Sequence, residues 1–177
     1  MIRTLALAGA ATLLVASAAP ASAQPYRQGP PAAGSTRDFV TAAAQSDEFE
    51  RRSGRLAQDT ARSRRVREFG GMMVQDHMMT TRSLQNAIRR SGRPVPPPPP
   101  LRPDQRGMLD QLRNAGRDFD FVYLRQQVQA HQEALGLMQD YARGGDNPLI
   151  RDAARTAVPV VQQHLRMAQD LQASVRR

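Results

Sequence analysis

Residues 117–143, RDFDFVYLRQQVQAHQEALGLMQDYAR, decide the fold. In alternating steps of three and four residues, this stretch carries an apolar stripe: Phe121, Leu124, Val128, His131, Leu135, Met138 and Ala142. That spacing is typical of a long amphipathic helix that packs in a bundle. A single histidine, His131, interrupts the stripe near its centre.

The rest of the chain repeats this helical pattern, and no stretch alternates as a strand does. Ser35 and Asp38 form a capping box for a first helix, and Ser63 is placed to cap a second. Asn147 and Pro148 open the last helix. We predict an all-α, ferritin-like antiparallel four-helix bundle over 35–177, with a short extra helix between the second and third long helices. The predicted helices span residues 35–61, 63–91, 104–115, 117–143 and 147–175.

A proline-rich segment, 92–103, joins the second and third long helices. Its run PVPPPPP, from Pro94 to Pro100, predicts an extended polyproline II strut. Residues 92–117 span roughly 40 Å at 3.1 Å per polyproline residue and 1.5 Å per helical residue. The segment can therefore carry the chain along the whole bundle, although a simple antiparallel return also fits the spacing.

The first 23 residues have the pattern of a secretory signal peptide. Arg3 precedes an apolar run, and Ala21-Ser22-Ala23 is a small-x-small cleavage pattern. We expect cleavage after Ala23, a disordered leader over 24–34, and no membrane-spanning segment after cleavage. The mature protein is then exported, either periplasmic or associated with the outer membrane.

Composition excludes several classes of function. The chain has no cysteine, so it has no disulfide framework, thiolate metal site or cysteine nucleophile. All 25 basic residues are arginine, against 16 acidic residues, and the formal charge is +9. Export and the even spread of arginine argue against nucleic acid as a partner. Contact with envelope polyanions or a membrane surface remains open.

The three histidines of the chain lie on the seams of three different predicted helices. His77 and His164 interrupt the second and fourth long helices as His131 interrupts the third, and the seam of the first carries Asp47 and Glu50. Glu50 and His77 are equidistant from one predicted turn, and His131 and His164 from another, so each pair faces across its hairpin. We predict one divalent metal ion, zinc, copper or iron, bound by Glu50, His77, His131 and His164. Additional candidate ligands or neighbours are Asp47, Asp120, Tyr123 and Met73.

A buried hydrogen-bond network is the alternative interpretation of the same residues. In that case Glu50 and Asp47 pair with the histidines and no metal is needed. Asp76 points off the seam in this pattern, and we expect it to pair with arginine. The residues alone leave both interpretations open.

The order of several short motifs resembles a known bacterial family. These motifs are Asp38-Phe39-Val40, Phe49-Glu50, Met73-Val74-x-Asp76-His77, Phe119-Asp120-x-x-Tyr123, Gln127-Val128-x-x-His131, and Pro159 followed by His164-Leu165. Over 36–171 the chain is similar to the domain of unknown function 4142 family, exported helical bundles grouped with ferritin-like proteins. The resemblance implies a ferritin-like bundle with the crossover topology, and it implies no assigned activity.

The chain departs from ferritin-like di-iron enzymes at three positions. Those enzymes use Glu-x-x-His pairs, whereas Val74, Val128 and Val161 stand three residues before the histidines here. We therefore expect no di-iron centre. The leading hypothesis is a metal-binding bundle for storage, buffering or sensing, and the alternative is a non-catalytic structural or stress-related envelope protein without metal. The sequence shows no open coordination position or substrate access that would favour an enzyme.

Overall fold

The structure is a computed structural model that describes residues 34–175. The predicted signal peptide, and the predicted leader apart from Gly34, lie outside the described residues. The described part consists of helices joined by short connections and the proline-rich segment. In chain order the elements are α1 (Thr36–Thr60), α2 (Arg64–Arg90), α3 (Pro103–Arg113), a 3₁₀ turn (Gly116–Asp118), α4 (Phe119–Gly144) and α5 (Pro148–Val175).

The helix predictions are confirmed, and two of the three predicted caps form. The Ser35 hydroxyl accepts a hydrogen bond from the Asp38 backbone N–H at 3.3 Å. Asn147 Oδ1 accepts from the N–H groups of Leu149 and Ile150 at 3.1 and 3.2 Å. These bonds satisfy N–H groups that the first turn of a helix leaves without partners.

Ser63 is the N-cap residue of α2, as predicted, but its side chain makes no capping hydrogen bond. The turn between α1 and α2 is instead held from α4. The Asp120 carboxylate accepts from the backbone N–H groups of Arg62 at 2.9 Å and Ser63 at 2.8 Å.

The long helices form a four-helix bundle in which the chain crosses from one end to the other. α1 packs against α2 and α4, and α5 packs against α4 and α2. One apolar cluster joins the start of α1 (Phe39), the end of α2 (Ile88), the end of α4 (Tyr141) and the start of α5 (Ile150). The cluster at the opposite end joins the other termini of the same helices. Helices α2 and α4 are therefore parallel, as the crossover topology requires.

The proline-rich segment makes this crossing and is held to the bundle at both ends. Val95 packs against the cluster that contains Phe39, whereas Leu101 is buried in the opposite cluster. Gln45 on α1 donates to the Pro100 carbonyl at 2.9 Å. Leu112 on α3 is fully buried in the same cluster as Leu101. The crossover therefore covers part of the core as well as linking the helix pairs.

Buried polar side chains occupy the middle of the bundle, between the two apolar clusters. All are less than 9% exposed, and they come from α1, α2, α4 and α5. They are Asp47, Glu50, Ser53, His77, Gln127, His131 and His164. Within the described residues, no helix combines the length and the apolar character needed to cross a membrane.

Candidate metal centre

The three histidines meet in the core although they come from three helices. His77 on α2, His131 on α4 and His164 on α5 are 4%, 1% and 2% exposed. Their ring centroids lie 5.5–5.7 Å apart. One ring nitrogen of each lies within 4.8 Å of those of the other two. An ion bound by all three at the usual zinc–nitrogen distance of about 2.0–2.1 Å would require these nitrogens to lie within about 4 Å of one another.

Each histidine is oriented by a hydrogen bond from its other ring nitrogen. His77 Nδ1 lies 2.8 Å from Asp47 Oδ1, and His164 Nε2 lies 2.9 Å from Asp76 Oδ2. His131 Nδ1 lies 2.9 Å from the backbone carbonyl oxygen of Gln127. Carboxylates and carbonyls only accept hydrogen bonds, so these three ring nitrogens carry the protons and donate.

The remaining nitrogens are therefore lone-pair acceptors in the neutral rings. They are Nε2 of His77, Nε2 of His131 and Nδ1 of His164, and none has a hydrogen-bond partner among the described residues. Burying acceptors without donors costs free energy. A metal cation bound by all three would remove that cost, and an orienting partner on the far nitrogen is the usual arrangement for metal-binding histidines.

Burial keeps two of the three rings neutral. It lowers the pKa of His131 to about 3, and the charge of His77 adds to the effect. It also lowers the pKa of His164, although the hydrogen bond that His164 donates to Asp76 opposes the shift. Burial lowers the pKa of His77 too, but the hydrogen bond and charge of Asp47 outweigh it, so the pKa is raised overall. Near neutral pH, His131 and His164 therefore offer lone pairs without first losing a proton.

Asp47, a candidate additional ligand, has both oxygens engaged elsewhere. Its Oδ1 accepts from His77 and from the Thr80 hydroxyl at 3.0 Å, and its Oδ2 accepts from the Thr81 hydroxyl at 2.7 Å. Asp47 therefore orients His77 and does not meet the three free nitrogens. Through it, α1 also contributes to the site.

Glu50 lies beside the histidines but does not join the three nitrogens that meet. Its Oε1 is 3.9 Å from His131 Nδ1, the nitrogen that donates to Gln127. The side chain is 1% exposed, and within residues 34–175 neither oxygen has a hydrogen-bond partner. Burial raises the pKa of Glu50 to about 7, although the charge of His77 and the Gln127 amide lower it.

The register of α1 against α2 explains the position of Glu50. A Cβ atom on Gly70 would lie 2.7 Å from the Gly54 carbonyl oxygen, so the two helices cross closely there. Asp47 lies seven residues before Gly54 on α1, and His77 lies seven residues after Gly70 on α2, so these two side chains are at the same height. Glu50 therefore lies about 4.5 Å nearer the turn, at 1.5 Å per residue. The sequence-based pairing of Glu50 with His77 is wrong by about one helical turn.

Asp120, Met73 and Tyr123 were predicted as additional ligands or neighbours of the metal, and each makes other contacts in the structure. Asp120 caps the turn between α1 and α2, and Met73 is fully buried in the apolar cluster at that end. Tyr123 lies in the same cluster, with its ring 6.1 Å from that of Phe119, and its buried hydroxyl has no hydrogen-bond partner in the part of the chain that the structure describes. Asp120 therefore holds the turn between α1 and α2, and Met73 contributes to the apolar packing at that end.

Sequence reasoning missed Asp76 and the Gln127 carbonyl. The expectation that Asp76 pairs with arginine is wrong, since it binds His164. A residue one position before His77 is rotated by about 100° around the helix, and this turns Asp76 towards α5. The Gln127 carbonyl was accessible to sequence reasoning, because it lies one turn before His131 on the same helix.

The fold and the site together define a class: an all-helical four-helix bundle with a cluster of three histidines buried in its core. More particularly, the chain belongs to the family described as Domain of unknown function (DUF4142), whose model matches residues 21–171. No match was found among curated proteins.

A solved structure, "CopM in the Cu(II)-bound form", has a similar fold. Its TM-score is 0.67 at 14% sequence identity, and the match covers 79% of this chain and 97% of that chain. At this identity the likeness concerns the fold.

Proposed function

We propose that this protein binds one divalent metal ion through His77 Nε2, His131 Nε2 and His164 Nδ1. The observation that carries the proposal is the set of three buried ring nitrogens without partners, each opposite a nitrogen that is already hydrogen bonded. A network without metal would leave these three nitrogens, at least two of them lone-pair acceptors, buried without partners among the described residues. A cation satisfies all three.

Copper is the first candidate for the ion. Imidazole ligands suit zinc, copper and iron alike, so the donor set alone does not choose among them. The similar fold of CopM, which is described in a Cu(II)-bound form, supports testing copper first. A di-iron centre is not part of the proposal, because Val74, Val128 and Val161 stand where Glu-x-x-His pairs would place carboxylates.

The proposed role is storage, buffering or sensing of the metal outside the cytoplasm. Residues 1–23 support export, to the periplasm or to association with the outer membrane. The basic composition supports additional contact with envelope polyanions or a membrane surface. No observation favours a catalytic reaction.

Elemental analysis of the mature protein, purified without a histidine tag, tests the proposal. We expect about one metal ion per chain in the wild type and none in the variant with His77, His131 and His164 all changed to Gln. A matched control removes exposed carboxylates from the same helices: Glu68→Gln, Glu133→Gln and Asp170→Asn. The control variant should keep its metal. Equal metal content in the wild type and the histidine variant would contradict the proposal.

A structural envelope protein is the second candidate, favoured by the pairs Asp47–His77 and Asp76–His164. Such pairs can hold bundle register without metal. In that case the wild type stays metal-free when copper, zinc or iron is supplied. Its melting temperature is then also unchanged by metal and by chelator.

A further inference from the structure

A cleft between α2 and α5 leads from the bundle surface to the histidine site. Its volume is about 360 Å³. Met79, which is 58% exposed, lies at its rim, and Asp47, which is 7% exposed, lies at its floor. At about 30 Å³ per water molecule, the cleft has room for a divalent cation with its hydration water.

The two ends of the cleft differ in chemistry. Asp47, Asp76 and Thr80 line the end next to His164, whereas Phe39, Leu84 and Met138 line the end nearer the turn between α4 and α5. The cleft's charged side chains are the two aspartates. Among the residues that the structure describes, no arginine lines it. The cleft therefore has negative charge between low-dielectric walls in a protein of net charge +9.

His164 separates the cleft from the three meeting nitrogens. Its Nε2 binds Asp76, whose side chain is 26% exposed, while its own side chain is 3% exposed. His164 belongs to the buried group with His77 and His131, neither of which lines the cleft, and its Nδ1 has no hydrogen-bond partner among the described residues. An ion that reaches Asp76 is thus one imidazole ring away from the site.

We propose that this cleft is the route by which a hydrated divalent cation reaches the three histidines, with Asp76 as its first charged contact. The proposal rests on the proposed function. A cleft with charge of one sign and apolar walls focuses the electric field and raises the association rate of an oppositely charged ion by about 10-fold to 1,000-fold. Asp76 and Asp47 attract the cation, and rotation of His164 transfers it inward.

Filling the cleft with Ala157→Leu tests the route. Ala157 lines the cleft and binds none of the site residues. Copper(II) chloride is mixed with metal-free protein, and binding is followed by quenching of tyrosine fluorescence in a stopped-flow instrument. We expect the association and dissociation rate constants each to fall by at least about 10-fold, with Kd within about twofold of the wild type, since a blocked path slows both directions equally. Ala173→Leu, at an exposed position on the same helix, is the matched control and should bind at the wild-type rate.

The salt dependence of the wild-type rate provides a second test that needs no variant. Repulsion by the net charge of +9 predicts that the association rate rises with added sodium perchlorate, because salt screens the repulsion. Attraction by the cleft predicts that the association rate falls with added salt. The fall should be weaker in the Asp76→Asn variant than in the wild type. An unchanged rate in Ala157→Leu, or a wild-type rate that rises with salt, would overturn the route. Absence of copper binding in the wild type would instead contradict the proposed function.

Discussion

At the scale of single residues, the histidines of the site use their two ring nitrogens for different purposes. A neutral imidazole has one N–H group and one lone pair. Asp47, Asp76 and the Gln127 carbonyl accept from one nitrogen of each ring, so the other nitrogen of each ring is the one left to bind a metal. The polar neighbours therefore determine which atoms could bind a metal.

Glu50 is a buried carboxyl group, and the free energy needed to ionise it in the folded protein should appear in the pH dependence of stability. Burial raises its pKa to about 7 from an ordinary value of 4.5. The contribution of the protonated Glu50 to the free energy of unfolding is fully present below pH 4.5 and is lost as the pH rises through 7. It is lost because the folded protein must then ionise a buried group without partners. At 1.36 kcal/mol per pKa unit, the loss is about 3 kcal/mol.

We therefore compare the free energy of unfolding of the metal-free Glu50→Gln variant with that of the metal-free wild type at pH 4.5 and at pH 8. The difference in favour of the variant should be about 3 kcal/mol larger at pH 8. Urea denaturation in the presence of chelator measures the two differences. Glu68→Gln, at a side chain that is 59% exposed, should change little with pH. A difference for Glu50→Gln that is the same at both pH values would show that the carboxyl is not desolvated.

At the scale of the helices, the contact between Gly54 and Gly70 sets the register of α1 on α2. A Cβ atom on either glycine would lie 2.7 Å from the backbone carbonyl oxygen of the other. Only glycine permits this approach. The same register places Asp47 beside His77, so a change in helix packing here also changes the orientation of a site histidine.

We expect Gly70→Ala to lower the free energy of unfolding by about 1–3 kcal/mol, because the added methyl group forces α1 and α2 apart. Gly136→Ala on α4 is the control, since a Cβ atom there has no neighbour within 4 Å. That change should raise stability by up to about 1 kcal/mol through helix propensity alone. Urea denaturation of the three proteins measures both effects. Equal effects of the two substitutions would contradict the close contact between the helices.

At the scale of the whole molecule, the crossover joins the two helix pairs into one bundle with the site at its centre. The histidines come from α2, α4 and α5, and Asp47 adds α1. A metal bound there connects helices from both halves of the chain. Binding should therefore stabilise the entire fold against unfolding.

We expect free copper at 100 times its Kd to raise the free energy of unfolding by about 2.7 kcal/mol, provided that the unfolded chain does not bind it. Urea denaturation with and without copper measures the change, and added chelator should reverse it. The variant with all three histidines changed to Gln should show no increase. An equal increase in that variant would place the stabilising copper elsewhere on the protein.

The sequence by itself determined the helices and the position of each histidine along them. Helical spacing, the caps at Ser35 and Asn147, and the run of prolines are local properties, and each acts within a few residues. The meeting of His77, His131 and His164 was also predictable, because equal rise per residue gives side chains equal height on neighbouring helices.

Only the tertiary structure decided which polar groups accompany the histidines. Register and rotation of one helix against another depend on contacts spread along both, and a shift of one turn moves a side chain by about 5.4 Å. The Gly54–Gly70 contact therefore selects Asp47 over Glu50 as the partner of His77. Packing of α5 on α2 likewise turns Asp76 to His164 and leaves the cleft between those helices open, because neither contact is encoded within a single helix.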